Sequence, residues 1–112
     1  MSNIVSKIEE IISRGRVVLF MKGTPDLPYC GFSAQVVKIL KGLGVSFESF
    51  DILSDDGIRS GLKDFSDWPT FPQLYIDSEF IGGCDIVSEM FSDGQLQSLF
   101  KEKELLDHVK SC

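Results

Sequence analysis

Residues 17–33 read VVLFMKGTPDLPYCGFS. Five consecutive apolar residues, Val17 to Met21, suit a strand buried on both faces of a sheet and fall far short of the ~20 residues that cross a bilayer. The segment from Lys22 to Tyr29 holds Pro25 and Pro28 and is read as a loop without regular structure. From Gly31 the apolar period changes. Val36, Val37, Ile39, Leu40 and Leu43 fit the buried side of a helix over Gly31–Leu43, with Gly44 near its C-terminal cap. A strand thus hands over to a helix across a loop that ends on one cysteine, Cys30, with Ser33 three residues later.

Before this stretch, Ile4, Ile8, Ile11 and Ile12 mark an amphipathic helix with Lys7, Glu9 and Glu10 opposite, closed by Gly15. After it, Phe47–Ile52 reads as a strand, and Ile58, Leu62 and Phe65 repeat at helical spacing. Trp68-Pro-Thr-Phe-Pro72 breaks that helix before a further strand, Gln73–Ile76; Asp77-Ser-Glu79 then turns the chain into Phe80-Ile81, a hairpin interrupted by Gly82-Gly83. Helical spacing resumes at Ile86, Val87 and Met90, at Leu96, Leu99 and Phe100, and at Leu105, Leu106 and Val109. A right-handed strand–helix–strand crossover makes the first two strands parallel. The hairpin joins the same sheet, with helices on both faces. The expected class is α/β, and with no linker or repeat in sight residues 1–112 are expected to form one domain with a flexible tail from about 107.

Composition narrows the function. The chain is 43% apolar and 25% charged, an ordinary soluble balance. Its net charge is −6 and no Lys/Arg cluster is present, which argues against nonspecific nucleic-acid binding. Nothing calls for a membrane. The N-terminal MSNIVSKIEEIISRG carries Glu9 and Glu10 and lacks the pattern of a secretory or transit peptide, so the expected location is the cytoplasm. Cys30, Cys84 and Cys112 are odd in number and widely spaced, which suits a reducing compartment and a reactive thiol rather than a disulfide scaffold. His108, the single histidine, is read as solvated, and no Cys/His set has zinc spacing.

Cys30 stands at the predicted N-terminus of the second helix, where unpaired N–H groups and the helix dipole favour a thiolate. Lys22, at the other end of the loop, can add a cation. The alternative is a buried, inert cysteine. Ser33 stands where a redox pair would place its second thiol, and a hydroxyl cannot resolve a mixed disulfide. Cys30 must then wait for an external thiol or serve another chemistry.

Cys30-Gly-Phe-Ser33, preceded by Lys22-Gly-Thr-Pro25 and followed by Trp68-Pro-Thr-Phe-Pro72 and Gly82-Gly-Cys-Asp85, resembles a single-domain monothiol glutaredoxin of the CGFS type. The resemblance runs from Ile4 to about Leu105. It implies a thioredoxin-like fold, a four-stranded mixed sheet in order 2-1-3-4 flanked by helices on both faces, and glutathione bound beside Cys30. Lys22 and Arg59 would hold the glycine carboxylate. The Phe71 backbone would pair with the tripeptide, presented by a cis bond to Pro72, and Gly82 and Gly83 would allow close approach. The Cys84 main chain and the Asp85 carboxylate would hold the γ-glutamyl end. Taken by residue type alone, Lys22 and Arg59 can equally be solvated, Gly82-Gly83 a bulge, and Asp85 a helix N-cap. Cys84 is either a disulfide partner for Cys30 or inert, and Cys112 lies beyond the shared core.

The resemblance further implies that Cys30 ligates a [2Fe–2S] cluster shared with a dimeric partner. Such a cluster takes four thiolate-type ligands, which two chains and two glutathiones supply. A cluster-dependent homodimer would then receive its cargo from iron–sulfur scaffolds and pass it to acceptor apoproteins, and a BolA-type protein is a possible heterodimer partner. The competing class is an enzyme, a glutathione-dependent thiol–disulfide oxidoreductase with Cys30 as nucleophile. The extended loop Gly23–Leu27 resembles the insertion of the monothiol class, which is associated with poor turnover, so any such activity is expected to be weak.

Overall fold

The structure, a computed structural model, describes residues 3–106. Its elements in chain order are α1 (Asn3–Ile12), β1 (Val17–Met21), α2 (Gly31–Gly42), β2 (Glu48–Asp51), a one-turn 3₁₀ helix (Ile52–Ser54), α3 (Asp56–Ser66), β3 (Gln73–Ile76), β4 (Glu79–Gly82), α4 (Cys84–Ser92) and α5 (Gln95–Glu102). The four strands form one sheet in the order β2-β1-β3-β4. β1 runs parallel to β2 and antiparallel to β3, and β3 runs antiparallel to β4. The mixed sheet and its order are those implied by the resemblance.

The apolar run of β1 has a simple cause. Val17, Leu19 and Met21 face a core built with Val36, Leu40, Leu74, Val87, Leu96 and Phe100. Val18 and Phe20 face a second core with Ile8, Ile12, Ile58, Leu62 and Tyr75. Successive side chains of a strand point to opposite faces, so a strand covered on both sides has no position left for a polar residue. All five residues of β1 are buried.

Three boundaries differ from the sequence reading. The second strand is shorter, Glu48–Asp51, because Ile52 already belongs to the 3₁₀ turn capped by the Asp51 carboxylate. Glu79 belongs to β4, so the hairpin turn is Asp77-Ser78, both with positive φ (51° and 68°), the pairing of angles that two-residue hairpins favour. The helical spacing at Leu105 and Leu106 does not produce a helix. Leu105 N donates to Phe100 O (2.8 Å) and Leu106 forms an isolated antiparallel bridge with Val45. Two apolar residues near the α2–β2 connection are covered this way, and a distant backbone partner outweighs local period. Val109, His108, Cys112 and the expected tail from 107 lie outside the described residues. Among the described residues no helix is long and apolar enough to cross a membrane.

Candidate functional site

The site begins where β1 ends. Lys22 N donates to Ser33 Oγ (3.1 Å), Lys22 O accepts from Tyr29 N (2.9 Å), and Gly23 N donates to Asp51 Oδ1 (2.9 Å). Thr24 and Leu27 exchange backbone bonds (3.2 and 3.0 Å), and Gly23 bridges Pro28. The loop read as irregular is therefore a small closed hairpin, because the donors that its two prolines lack are not the ones that close it. Gly23 has φ of 90°, and a Cβ there would lie 2.5 Å from Leu27 O. Only glycine fits.

The loop delivers Cys30 to the N-cap of α2, where Sγ accepts from Ser33 N at 3.3 Å and lies 3.4 Å from Ser33 Oγ. Partial burial pushes the Cys30 thiol up, but the Ser33 hydroxyl, the Ser33 and Phe32 backbone N–H groups and the Lys22 charge together hold it below its ordinary value. The Ser33 hydroxyl oxygen accepts from Lys22 N–H and, while Cys30 is a thiol, from Cys30 Sγ; toward an ionised sulfur the hydroxyl becomes the donor. Ser33 is fully buried. Sequence reasoning treated Ser33 only as a missing thiol; the structure gives it a positive task. Cys30 itself is half-buried rather than sealed in the core.

The second half of the site is the Trp68–Pro72 segment with the start of α4. The Phe71–Pro72 bond is cis. Gln73, in an otherwise apolar strand, is fully buried. Its Nε2 donates to Trp68 O (3.2 Å) and Thr70 O (3.3 Å), and its Oε1 accepts from Tyr75 Oη (3.1 Å). Burial pushes the Tyr75 phenol up to about 12, against a smaller opposing bond with Ser66, so it stays protonated and able to donate. Phe71, Gly83, Cys84 and Asp85 line one cleft of about 200 Å³ with Phe32, Trp68 and Thr70. At Gly83 a Cβ would sit 2.9 Å from Trp68 Nε1 and 3.3 Å from Pro72 O, so the cleft wall is packed to the limit of a glycine.

Four of the expected site residues, Phe71, Gly83, Cys84 and Asp85, thus share a cleft, and Pro72 is buried directly behind it. Lys22 and Cys30 meet at the loop beside Phe32. Arg59 sits half-buried on α3, with its N–H on Asp55 O, and does not line this cleft. Gly83, not Asp85, is the N-cap of α4; Asp85 is in the first turn, which corrects the N-cap reading of Asp85. β4 is an edge strand whose pairing slips between Leu74 and Tyr75, just before Gly82. Cys84 and Cys30 are both free thiols; Cys84 Sγ lies 3.9 Å from Ser88 Oγ. Around Cys30, Leu27 (60% exposed), Tyr29 (63%) and Phe32 (63%) leave large apolar surfaces in solvent.

Known proteins resemble this chain in sequence and fold. A family profile described as Glutaredoxin matches residues 17–81. Glutaredoxin 4 of Escherichia coli is 50% identical over 102 residues, spanning 91% of this chain and 89% of that protein. Monothiol glutaredoxin-S11 of rice is 59% identical over 96 residues, 86% of this chain but only 20% of the rice protein, so the chain spans about a fifth of that relative's length. The solution structure of reduced poplar apo GrxS14 superposes with a TM-score of 0.78 at 52% identity, covering 88% of this chain and 91% of that one.

Proposed function

We propose, from the premise that the chain belongs to the glutaredoxin family and to its monothiol branch, that it carries a glutathione-ligated [2Fe–2S] cluster as a homodimer and passes it to acceptor proteins. Glutathione use comes with the family. The cluster, the dimer and the transfer are the reading we add.

One observation carries it. Cys30 is a hydrogen-bonded sulfur favoured as a thiolate at a helix N-terminus, and the residue that would resolve a disulfide is instead a serine bonded to it. Among the described residues no three His, Cys, Asp or Glu side chains are grouped to hold a metal ion, and on this reading each chain contributes the Cys30 sulfur. A [2Fe–2S] cargo needs about four sulfur ligands. Two copies of Cys30 and two glutathione thiols meet that count, and Phe71, Gly83, Cys84 and Asp85 form a cleft suited to the peptide part of glutathione. The exposed Leu27, Tyr29 and Phe32 side chains are surface that a facing copy would cover. The unpaired Cys30 and Cys84 thiols suit a reducing compartment such as the cytoplasm.

The lowered Cys30 thiol also favours a second reading, deglutathionylation. The Cys30 thiolate attacks the glutathione sulfur of a protein–glutathione mixed disulfide, the protein thiolate leaves, and a second glutathione thiolate displaces Cys30 to give glutathione disulfide. Anaerobic reconstitution with iron, sulfide and glutathione separates the two. The carrier reading expects visible absorption together with a monomer-to-dimer shift, both lost in Cys30→Ser and both kept in Cys84→Ser. A colourless monomer with robust glutathione-coupled disulfide reduction would sink it in favour of the enzyme.

A further inference from the structure

Asp51 is the last residue of β2 and pairs in register with Met21, the last residue of β1. The register of the two strands ends at that pair, and the next link between the segments is made by a side chain. Asp51 Oδ1 accepts from Gly23 N across 28 residues, at 2.9 Å, and from Leu53 N, also at 2.9 Å. The second bond is an ordinary cap of the 3₁₀ turn. The first is not required by any cap, and it falls on the residue after Lys22.

We infer that Asp51 is a positioning residue for Lys22, setting its ammonium where it receives the glycine carboxylate of glutathione; this rests on the glutathione-binding reading above. The peptide group joining Lys22 to Gly23 is planar, and both of its polar ends are tied. Its oxygen accepts from Tyr29 N at 2.9 Å, and its N–H donates to Asp51. With Lys22 N held on Ser33 Oγ at 3.1 Å, the backbone on both sides of the Lys22 Cα is fixed, and so is the direction in which its side chain leaves. Gly23, at φ of 90°, leaves no room for a Cβ beside Leu27 O, so the residue that follows Lys22 must be glycine for the hairpin to close. Removing the Asp51 carboxylate frees one of these ties while leaving the others.

The sign of the effect separates position from charge. A carboxylate that acts only through its charge repels an anionic ligand, so its removal should tighten glutathione binding. A positioning carboxylate does the reverse. We expect Asp51→Ala to bind reduced glutathione about 5-fold more weakly in calorimetric titration of the apo protein, with Asp51→Asn close to wild type, because both bonds fall on Oδ1 and the amide keeps that oxygen. Glutathione ethyl ester, whose glycine carboxylate is masked, should bind Asp51→Ala and wild type alike. Unchanged or tighter glutathione binding in Asp51→Ala, or an equal loss with the ester, overturns the role of Asp51. A wild-type protein that binds no glutathione overturns the underlying reading as well, so the two failures are distinguishable.

Discussion

Replacing Ser33 by alanine removes one oxygen that serves two partners. The hydroxyl oxygen accepts from Lys22 N–H at 3.1 Å, and the group faces Cys30 Sγ at 3.4 Å. A hydrogen bond to a charged group is worth roughly 1.5–3 kcal/mol. The contact to sulfur is long and Cys30 is partly solvated, so about 1 kcal/mol is the fair share for the thiolate. At ~1.4 kcal/mol per tenfold, the thiolate-to-thiol ratio of Ser33→Ala then falls about 5-fold. The more basic thiolate is also more nucleophilic; a Brønsted slope of ~0.4–0.5 returns about 2-fold. At a pH below the Cys30 titration, where the thiol form predominates, the expected net effect is alkylation about 2–3-fold slower. The sign follows from the wild-type shift. The Cys30 thiol titrates below its ordinary value, so the variant's titration moves up toward that value. The assay is ultraviolet thiolate absorbance against pH, with Cys84 and Cys112 replaced by serine so that only Cys30 titrates, beside the alkylation rate. The orphaned Lys22 N–H adds about 1–3 kcal/mol of lost stability, read separately in urea. Superimposable titration curves for Cys30 with and without the Ser33 hydroxyl would refute the reasoning, whatever happens to stability.

Gly83→Ala pushes a methyl to 2.9 Å from Trp68 Nε1 and 3.3 Å from Pro72 O; overpacking of this kind costs roughly 1–3 kcal/mol, and the emission of the single tryptophan should shift with it, whereas unchanged stability and emission would show the wall to be yielding. Gln73→Leu removes three hydrogen bonds, two to carbonyls and one from the Tyr75 hydroxyl, about 3 kcal/mol at ~1 per bond, checked by chemical denaturation; a loss under ~1 kcal/mol would mean that water replaces the amide. Asp77, bonded by Arg16 (2.8 Å) and Lys103 (3.1 Å), is held down to about 2 by those bonds. Its contribution is complete above the ordinary aspartate value of 3.8 and fades as pH falls toward 2. Asp77→Asn should therefore flatten the rise of stability across that acid window and do so less at high salt, because the group is exposed; an unchanged slope would count against the cluster.

The parts of the fold that a sequence reveals are those governed by apolar period. Val17–Met21 was legible because both sheet faces are covered, and α2 because Val36, Val37, Ile39 and Leu40 repeat on its buried side. The terminal Leu105-Leu106 was misleading because its partner, Val45, lies far away in the chain and no local pattern encodes it. The hairpin of residues 22–29 was hidden for a related reason. Two prolines declare what cannot pair, while the bonds that close the loop join Thr24 to Leu27 and Lys22 to Tyr29.

The candidate site was legible through residue types at Cys30, Phe71, Pro72, Gly83 and Asp85, yet the groups that hold those residues in place went unread. Ser33 falls three residues before Val36 and four before Val37, on the buried face of α2, and Gln73 opens a strand buried throughout. A polar group left unpaired in such a place costs about 1–3 kcal/mol. A hydrophilic residue at a position that the apolar period assigns to the core must therefore have a partner, and here the partners are Lys22 N–H and Cys30 in one case, the Trp68 and Thr70 carbonyls in the other. Both exceptions to the pattern brace segments that carry the site. Asp51 carries no such flag, since it ends a half-exposed strand where an aspartate is unremarkable; its bond to Gly23 is visible only in three dimensions. The violation of period tells where a polar clamp must exist, and only the fold tells what it clamps.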